Sequence, residues 1–229
     1  MFLDYYYLVL VVPAILISFW AQSRVSSTYN RYQKVQSYSG LTGAQVARRI
    51  LDDNGLYQVQ IEQIHGNLTD HYDPRQQVVR LSSGVYGSTS VAAIGIAAHE
   101  TGHAVQHATQ YAPLTLRNAI IPVTNFGAKL SMPLILFGLL AGMDGLIYLG
   151  IVAFSLMVLF QLATLPVEFN ASRRALNTLE TQGILRDSQE TDGAKKVLSA
   201  AALTYVAALL VSVAQLLRLV LMFGGRRRR

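Results

Sequence analysis

Four stretches of the chain are apolar for about twenty residues: Phe2 to Trp20, Asn118 to Gly142, Gly145 to Leu165 and Val197 to Phe223. A helix needs about 20 mostly apolar residues to cross a bilayer core, so the pattern predicts four transmembrane helices. Tyr5, Tyr6 and Tyr7 stand at one end of the first stretch and Trp20 at the other, the aromatic placement expected at two membrane interfaces. Pro13 in its middle is tolerable in a membrane helix. An uncleaved anchor is expected here in preference to a signal peptide, because Met1-Phe2-Leu3-Asp4 carries no positive residue and no small-residue cleavage site follows. The second stretch is interrupted by Pro122, Asn125, Lys129 and Pro133. Its first part is expected to lie along the interface, with Lys129 snorkelling toward water. Gly142-Met143-Asp144-Gly145 is short enough to join the second and third stretches as a helical hairpin. The fourth is broken only by Arg218, which is expected to snorkel at the outer interface.

Two polar segments remain, Ala21 to Arg117 and Pro166 to Lys196. Thr42 and Gln45 have capping-box spacing and predict a helix from Gly43 to about Asn54, with Gly55 just past its end. Tyr57–Ile64 and Gln76–Leu81 are rich in Val and Ile and flank a turn-forming stretch of Gly, Asn, Asp and Pro, so they read as a small antiparallel unit. A further helix is expected after Ser88-Thr89-Ser90, running to about Thr109 and stopped by Pro113. Pro166 opens another, continuing to about Leu179.

Composition agrees with membrane integration: 52% of the residues are hydrophobic and only 14% charged, where a soluble domain carries about 25% charge. The net charge of +6 misleads, since four of the nineteen basic residues form the terminal run Arg226–Arg229, leaving fifteen against thirteen acidic ones. That balance argues against a nucleic-acid partner, which would require a basic face. Cysteine is absent. Disulfides, Cys-ligated metal sites and a cysteine nucleophile are thereby excluded, and any catalytic metal must be held by His, Asp or Glu.

The expected helix after Ser90 contains His99-Glu100-Thr101-Gly102-His103. Residues four apart share a helix face, so both imidazoles can converge on one metal ion. Glu100, one position after the first ligand, can take a proton from a water activated there. A catalytic zinc takes three protein ligands and leaves a position open. His107 continues the series but fails as the third, because eight residues of helix rise about 12 Å while zinc–nitrogen bonds are about 2 Å. His65 and His71 lie in turn-rich sequence. The better candidate is Glu168, just after the third apolar stretch, which the expected hairpin returns to the membrane face bearing His99 and His103.

Asp70-His71-Tyr72-Asp73-Pro74, Val79-Arg80-Leu81-Ser82, His99 to Gln106 and Pro166-Val167-Glu168-Phe169-Asn170-Ala171-Ser172-Arg173 together resemble the YugP-like family of bacterial membrane zinc metallopeptidases. The likeness covers nearly the whole chain. It implies a zinc-dependent, membrane-embedded peptidase. More distantly the chain is similar to HtpX-type proteases and CAAX prenyl endopeptidases, which place H-E-x-x-H on the cytosolic side. Those take a third ligand from a later E-x-x-x-D motif, whose Asp supports a ligand histidine. Here Ser172 follows Glu168 at i+4, so Asn170 or Ser172 would have to replace that carboxylate.

The expectation is therefore a mostly α integral membrane protein with about four transmembrane helices and a small α+β, gluzincin-like zinc-peptidase domain. Its parts are an anchor (1–21), two peptidase segments (22–117 and 166–196), a membrane hairpin (118–165), a last span (197–223) and a basic tail (224–229). One zinc ion per chain is expected on His99, His103 and Glu168, with Glu100 as general base. Asn170, Ser172, Arg173, Arg174, His71 and Tyr72 are candidates to back a ligand or stabilise the oxyanion. Val78, Val79, Arg80 and Leu81 are candidates to pair with an extended substrate by strand addition. The partners are protein or peptide substrates and the bilayer, with a second copy or another membrane protein left open. The competing function is a membrane-anchored metal-binding scaffold or pseudoprotease. Basic residues gather near span ends on the motif side, Arg24, Arg31, Lys34, Arg117, Arg173, Arg174, Lys195 and Lys196, against Asp4 and Asp144 opposite. That asymmetry predicts a multi-pass bacterial membrane protein with its catalytic side cytosolic, and a final crossing that carries Arg226–Arg229 outside.

Overall fold

The computed structural model describes residues 4–224. Phe2, Leu3 and the basic run Arg226–Arg229 lie outside the described residues. A π-helical turn, Tyr7–Val11, leads into α1 (Val12–Tyr32). Then come α2 (Gly43–Asp53), β1 (Gln60–Ile64), β2 (His71–Asp73), β3 (Val78–Ser82), α3 (Ser83–Tyr86) and α4 (Val91–Ala108). Three long helices complete the chain: α5 (Ala112–Ala141), α6 (Asp144–Thr181) and α7 (Ser188–Phe223). Among the described residues four helical stretches are long and apolar enough to cross a membrane: Tyr7–Tyr32, α5, α6 and α7, with mean hydropathies of 1.8, 1.4, 2.3 and 2.3.

These helices outrun the apolar stretches. The first continues twelve residues past Trp20, α6 runs through Pro166 to Thr181, and α7 begins at Ser188, ahead of Val197. An apolar run marks where lipid would stop, whereas backbone hydrogen bonding has no reason to end there. Likewise Pro122 and Pro133 lie within a continuous α5, with no break between an interfacial part and a crossing part. Pro13 leaves a local mark instead. Its ring crowds the carbonyl four residues back, and there the helix widens into the π turn.

The chain separates into two compact units. One comprises 4–22, Thr115–Pro166 and 203–224. Its helices approach closely at glycines, as small residues permit in membrane bundles. A Cβ on Gly150 would lie 2.7 Å from the Ser131 carbonyl oxygen, and one on Gly127 would lie 3.0 Å from that of Ala153. Ile135, Ile147, Phe154, Val158, Leu219 and Phe223 form its main cluster. Arg218 does not snorkel outward here. It is buried, its Nε donating to Asp4 Oδ2 at 2.9 Å. A paired guanidinium satisfies its donors without reaching for water.

The other unit comprises Ser23–Leu114 and Val167–Ala202. Its α2 opens with the capping box of Thr42 and Gln45, and Gly55 takes a left-handed φ of 71° just after the C-cap Asn54. Ser90 caps α4, accepting from the Ala93 amide at 3.2 Å. The sheet is mixed, in order β1-β3-β2, with β1 parallel and β2 antiparallel to β3. This corrects the expected antiparallel pair. The turn-rich stretch itself contains a strand, and that strand pairs with β3 from the other side. Asp70 fastens the arrangement, its carboxylate accepting from the Ser82 amide at 2.7 Å and from the Ser82 hydroxyl at 3.0 Å. Burial raises the Asp70 pKa, although the Ser82 hydrogen bonds oppose the shift. Helix α4 is the hub. Val91, Ile94 and Ala98 pack with α2, α6 and α7 residues, while Ala93, Ala97 and Ala104 share a cluster with Val79, Leu81 and Val85.

Candidate metal centre

His99 and His103 project from the same face of α4, their ring centroids 4.8 Å apart and nearly perpendicular. Glu168 on α6 meets them. Its Oε2 lies 3.3 Å from His99 Nε2 and 3.6 Å from His103 Nε2, and the residue is only 4% exposed. The approach depends on Gly102, inside the motif. A Cβ there would stand 3.1 Å from the Ala171 carbonyl oxygen and 3.4 Å from its Cα, so a side chain would hold α4 and α6 apart. Thr101, the other unspecified motif position, is buried with its hydroxyl donating to the Ala98 carbonyl at 2.8 Å.

The donor set can be tested for fit. Two imidazole nitrogens and one carboxylate oxygen, all within 4.8 Å of one another, are the ligand types and number of a catalytic zinc. Bonds of about 2.0–2.1 Å in tetrahedral geometry separate neighbouring donors by about 3.4 Å. The 3.3 and 3.6 Å separations bracket that edge and exceed the usual range of an N–H···O hydrogen bond. The residues present fit the ion. For His103, burial works against the charged form, but Glu168, Glu100 and Gln106 together raise its pKa.

Both candidate ligand histidines are held from behind. Ser172 Oγ lies 3.2 Å from His99 Nδ1. His103 Nδ1 lies 3.0 Å from Oε1 of Gln106, a residue with no exposed surface. Gln106 Nε2 donates to the Val167 carbonyl at 2.9 Å and to Asn170 Oδ1 at 3.0 Å. Asn170 Oδ1 also accepts from Arg174 Nε at 2.8 Å. Of the two expected stand-ins for the aspartate, Ser172 therefore touches His99, and Asn170 reaches His103 through Gln106. Sequence reasoning missed Gln106 and Gly102. The available signal for Gln106 was its position three residues after His103, on the ligand face.

The remaining candidates are not part of the His99, His103 and Glu168 group. His107 is outside the three-residue group, its Nδ1 engaged 3.0 Å from the Tyr72 hydroxyl. Burial and the neighbouring Asp73 carboxylate raise the Tyr72 pKa. His71 is exposed and faces the Thr69 carbonyl at 2.9 Å. His65 and Arg173 are exposed. The substrate-strand expectation for Val78, Val79, Arg80 and Leu81 is corrected. β3 is the central strand, with β1 on one side along its length and β2 on the other over Val78–Arg80. The Arg80 side chain bridges Glu62 on β1 and Asp73 on β2, at 3.1 and 3.2 Å. The edges of this sheet are β1 and β2.

Residues 7–224 match the family described as "putative neutral zinc metallopeptidase". The chain belongs to this family. It is also 54% identical over 221 residues to a Bacillus subtilis (strain 168) protein named "putative membrane protease YugP", an alignment covering 96% of this chain and 98% of that one. No solved structure matches. The YugP-like, zinc-peptidase family that the motifs resemble is thus the chain's own, and its four apolar helices agree with the membrane location in the relative's name.

Proposed function

We propose that this protein is a membrane-embedded zinc endopeptidase in which His99, His103 and Glu168 hold one zinc ion and Glu100 is the general base. The observation that carries the reading is the convergence of His99 Nε2, His103 Nε2 and Glu168 Oε2 at spacings that suit a tetrahedral ion. Three protein donors leave one position for water, which favours a catalytic site over a closed structural one. When bound, zinc supplies a Lewis acid that polarises the scissile carbonyl and brings the pKa of a water to about 7. The Glu100 carboxylate accepts that water's proton and passes it to the departing amine. Each of the two histidines has a hydrogen-bonding partner at Nδ1, which orients its ring toward Glu168.

Among the oxyanion candidates, Arg174 is engaged by Asn170, His71 by a backbone carbonyl, and Arg173 is exposed. Tyr72 is left. Its half-buried hydroxyl stands against His107, one turn beyond His103, and its strand β2 forms a sheet edge. An extended substrate adding to β2, in place of β3, would lie along the strand that carries Tyr72. Substrates on this reading are membrane or membrane-proximal proteins.

Metal analysis of purified protein with a proteolysis assay tests the proposal. Wild type should carry one zinc per chain and cleave an unfolded protein. Retention of zinc by both His99→Ala and Glu168→Ala would overturn it. The cytosolic placement of the catalytic side rests on the basic residues near span ends. A cysteine at exposed Ser188 should resist an impermeant thiol reagent in intact cells, while one at exposed Met143 should react. The reverse pattern would invert the orientation.

A further inference from the structure

A fully buried primary amide must find partners for two N–H donors and a carbonyl acceptor. Gln106 has no exposed surface and lies between His103 on its own helix and two residues of α6, Val167 and Asn170. Which end of such an amide is oxygen and which nitrogen must be decided by its neighbours. Here they decide it twice over. The Val167 backbone carbonyl can only accept, so the Gln106 atom 2.9 Å from it is the nitrogen. Independently, Arg174 Nε can only donate, so the Asn170 atom 2.8 Å from it is Oδ1. That oxygen lies 3.0 Å from the Gln106 nitrogen and takes its second hydrogen.

Both amide hydrogens are then spent on α6, and only Oε1 faces His103. It lies 3.0 Å from Nδ1 and can only accept, so Nδ1 must carry a hydrogen. A neutral imidazole protonated at Nδ1 bears its lone pair at Nε2, the atom facing Glu168. His99 is held differently. Its Nδ1 partner is the Ser172 hydroxyl at 3.2 Å, which can donate or accept and so permits either tautomer.

We propose that Gln106 is a positioning residue that locks His103 in the Nδ1–H tautomer before metal arrives, with Asn170 and Arg174 fixing the direction of the Gln106 amide. This rests on the reading of His103 as a ligand. The helix that supplies the carboxylate ligand thus also sets the tautomer of an imidazole ligand on α4, through Val167, Asn170 and Arg174. His103 is prearranged to bind, and His99 selects its tautomer as the ion enters.

The test uses the full-length protein in detergent, with two readouts besides activity. The first is zinc affinity by competition with a coloured chelator. The second is the tautomer of His103 in metal-free protein, from nitrogen resonances of labelled histidine at a pH where the ring is neutral. Wild type should show hydrogen on His103 Nδ1 and none on Nε2. The opposite tautomer, or a mixture of the two, overturns the proposal without any variant. Gln106→Met keeps the volume but cannot accept. It should weaken zinc binding by about 10–100-fold, the usual cost of losing a partner behind a metal ligand, and release the tautomer preference. Ser172→Ala should leave the His103 tautomer unchanged. His103→Ala separates the two levels of inference. If it binds zinc like wild type, the ligand assignment fails. If it loses zinc while Gln106→Met retains wild-type affinity and tautomer, only the role of Gln106 fails.

Discussion

Asp4 and Arg218 form one enclosed group of charges in this chain, and His99, His103 and Glu168 form another. In the first, the guanidinium Nε and Nη2 both donate to Asp4 Oδ2, at 2.9 and 2.5 Å, and the guanidinium carbon lies 5.1 Å from the Tyr7 ring centroid. Donors face an acceptor, and charge is cancelled on the spot. In the second, when both imidazoles are neutral with their hydrogen on Nδ1, the three atoms that face one another are all acceptors, two ring nitrogens and a carboxylate oxygen, at 3.3 and 3.6 Å. Acceptors crowd together in a buried place only when protons or a cation join them. Burial of charged groups is therefore common to both places. What favours a metal centre is a set of facing atoms that complement a cation instead of each other.

The largest expected effect breaks the second group and leaves the first intact. Glu168→Ala should lose both zinc and hydrolysis. Glu100→Gln should keep zinc and lose activity by about 10²–10⁴-fold in kcat/KM, the contribution typical of general acid–base catalysis. Zinc at a hundred times its dissociation constant should stabilise wild type by about 2.7 kcal/mol and leave the stability of Glu168→Ala unmoved. Loss of metal from Glu100→Gln would remove that residue from its proposed role.

Breaking the first group should change stability alone. Asp4→Asn leaves the Arg218 cation without its carboxylate, which in a fully buried pair costs about 3–5 kcal/mol. The Asp4 side chain keeps 22% of its surface exposed, so about 1–3 kcal/mol is expected. Adding Arg218→Met should restore most of it, because an apolar pair has no charge to strand. Unfolding in detergent, followed by the helical signal, measures both. Equal stability of the single and double variants would refute a charge-based cost, and zinc content should match wild type throughout.

The third effect is a matter of distance. Gly102→Ala places a methyl 3.1 Å from the Ala171 carbonyl oxygen, so α6 must yield by a few tenths of an ångström and carry Glu168 and Ser172 with it. Alanine also suits a helix interior better than glycine by about 0.5–1 kcal/mol. The prediction is therefore a split: stability close to wild type, with zinc affinity lower by about two- to ten-fold, less than for a lost supporting hydrogen bond. Unchanged affinity would mean that α6 shifts without disturbing the ligand set.

How much of this was legible in the sequence depended on the range of the interaction. The two helix caps, at Thr42 and Ser90, are local patterns and stand where expected. The spacing of His99, Glu100 and His103 is local too, and one helical turn suffices to interpret it. Helix ends were less legible, because hydropathy reports the solvent boundary and the backbone ladder ignores it, as Ser188 and Thr181 show. The strand His71–Asp73 was hidden because three residues beside Asp70 and Pro74 look like a turn, and only pairing with β3 makes them extended. Gln106 was hidden for another reason. A glutamine on a helix is ordinarily solvated, and its role exists only because α6 closes over it.

The smallest effect concerns His107, which shares the ligand face without sharing the site. Its Nδ1 is engaged by Tyr72 at 3.0 Å, and eight residues of helix, about 12 Å of rise, separate it from His99. His107→Ala should therefore keep full zinc occupancy. What it removes is one hydrogen bond steadying the Tyr72 hydroxyl, a contribution of about 0.5–1.5 kcal/mol. If Tyr72 stabilises the oxyanion, that loss should appear in kcat/KM as a decrease of no more than about ten-fold. Wild-type activity in His107→Ala would detach Tyr72 positioning from His107. Loss of zinc would instead place His107 among the ligands and displace Glu168, against the geometry of the cluster.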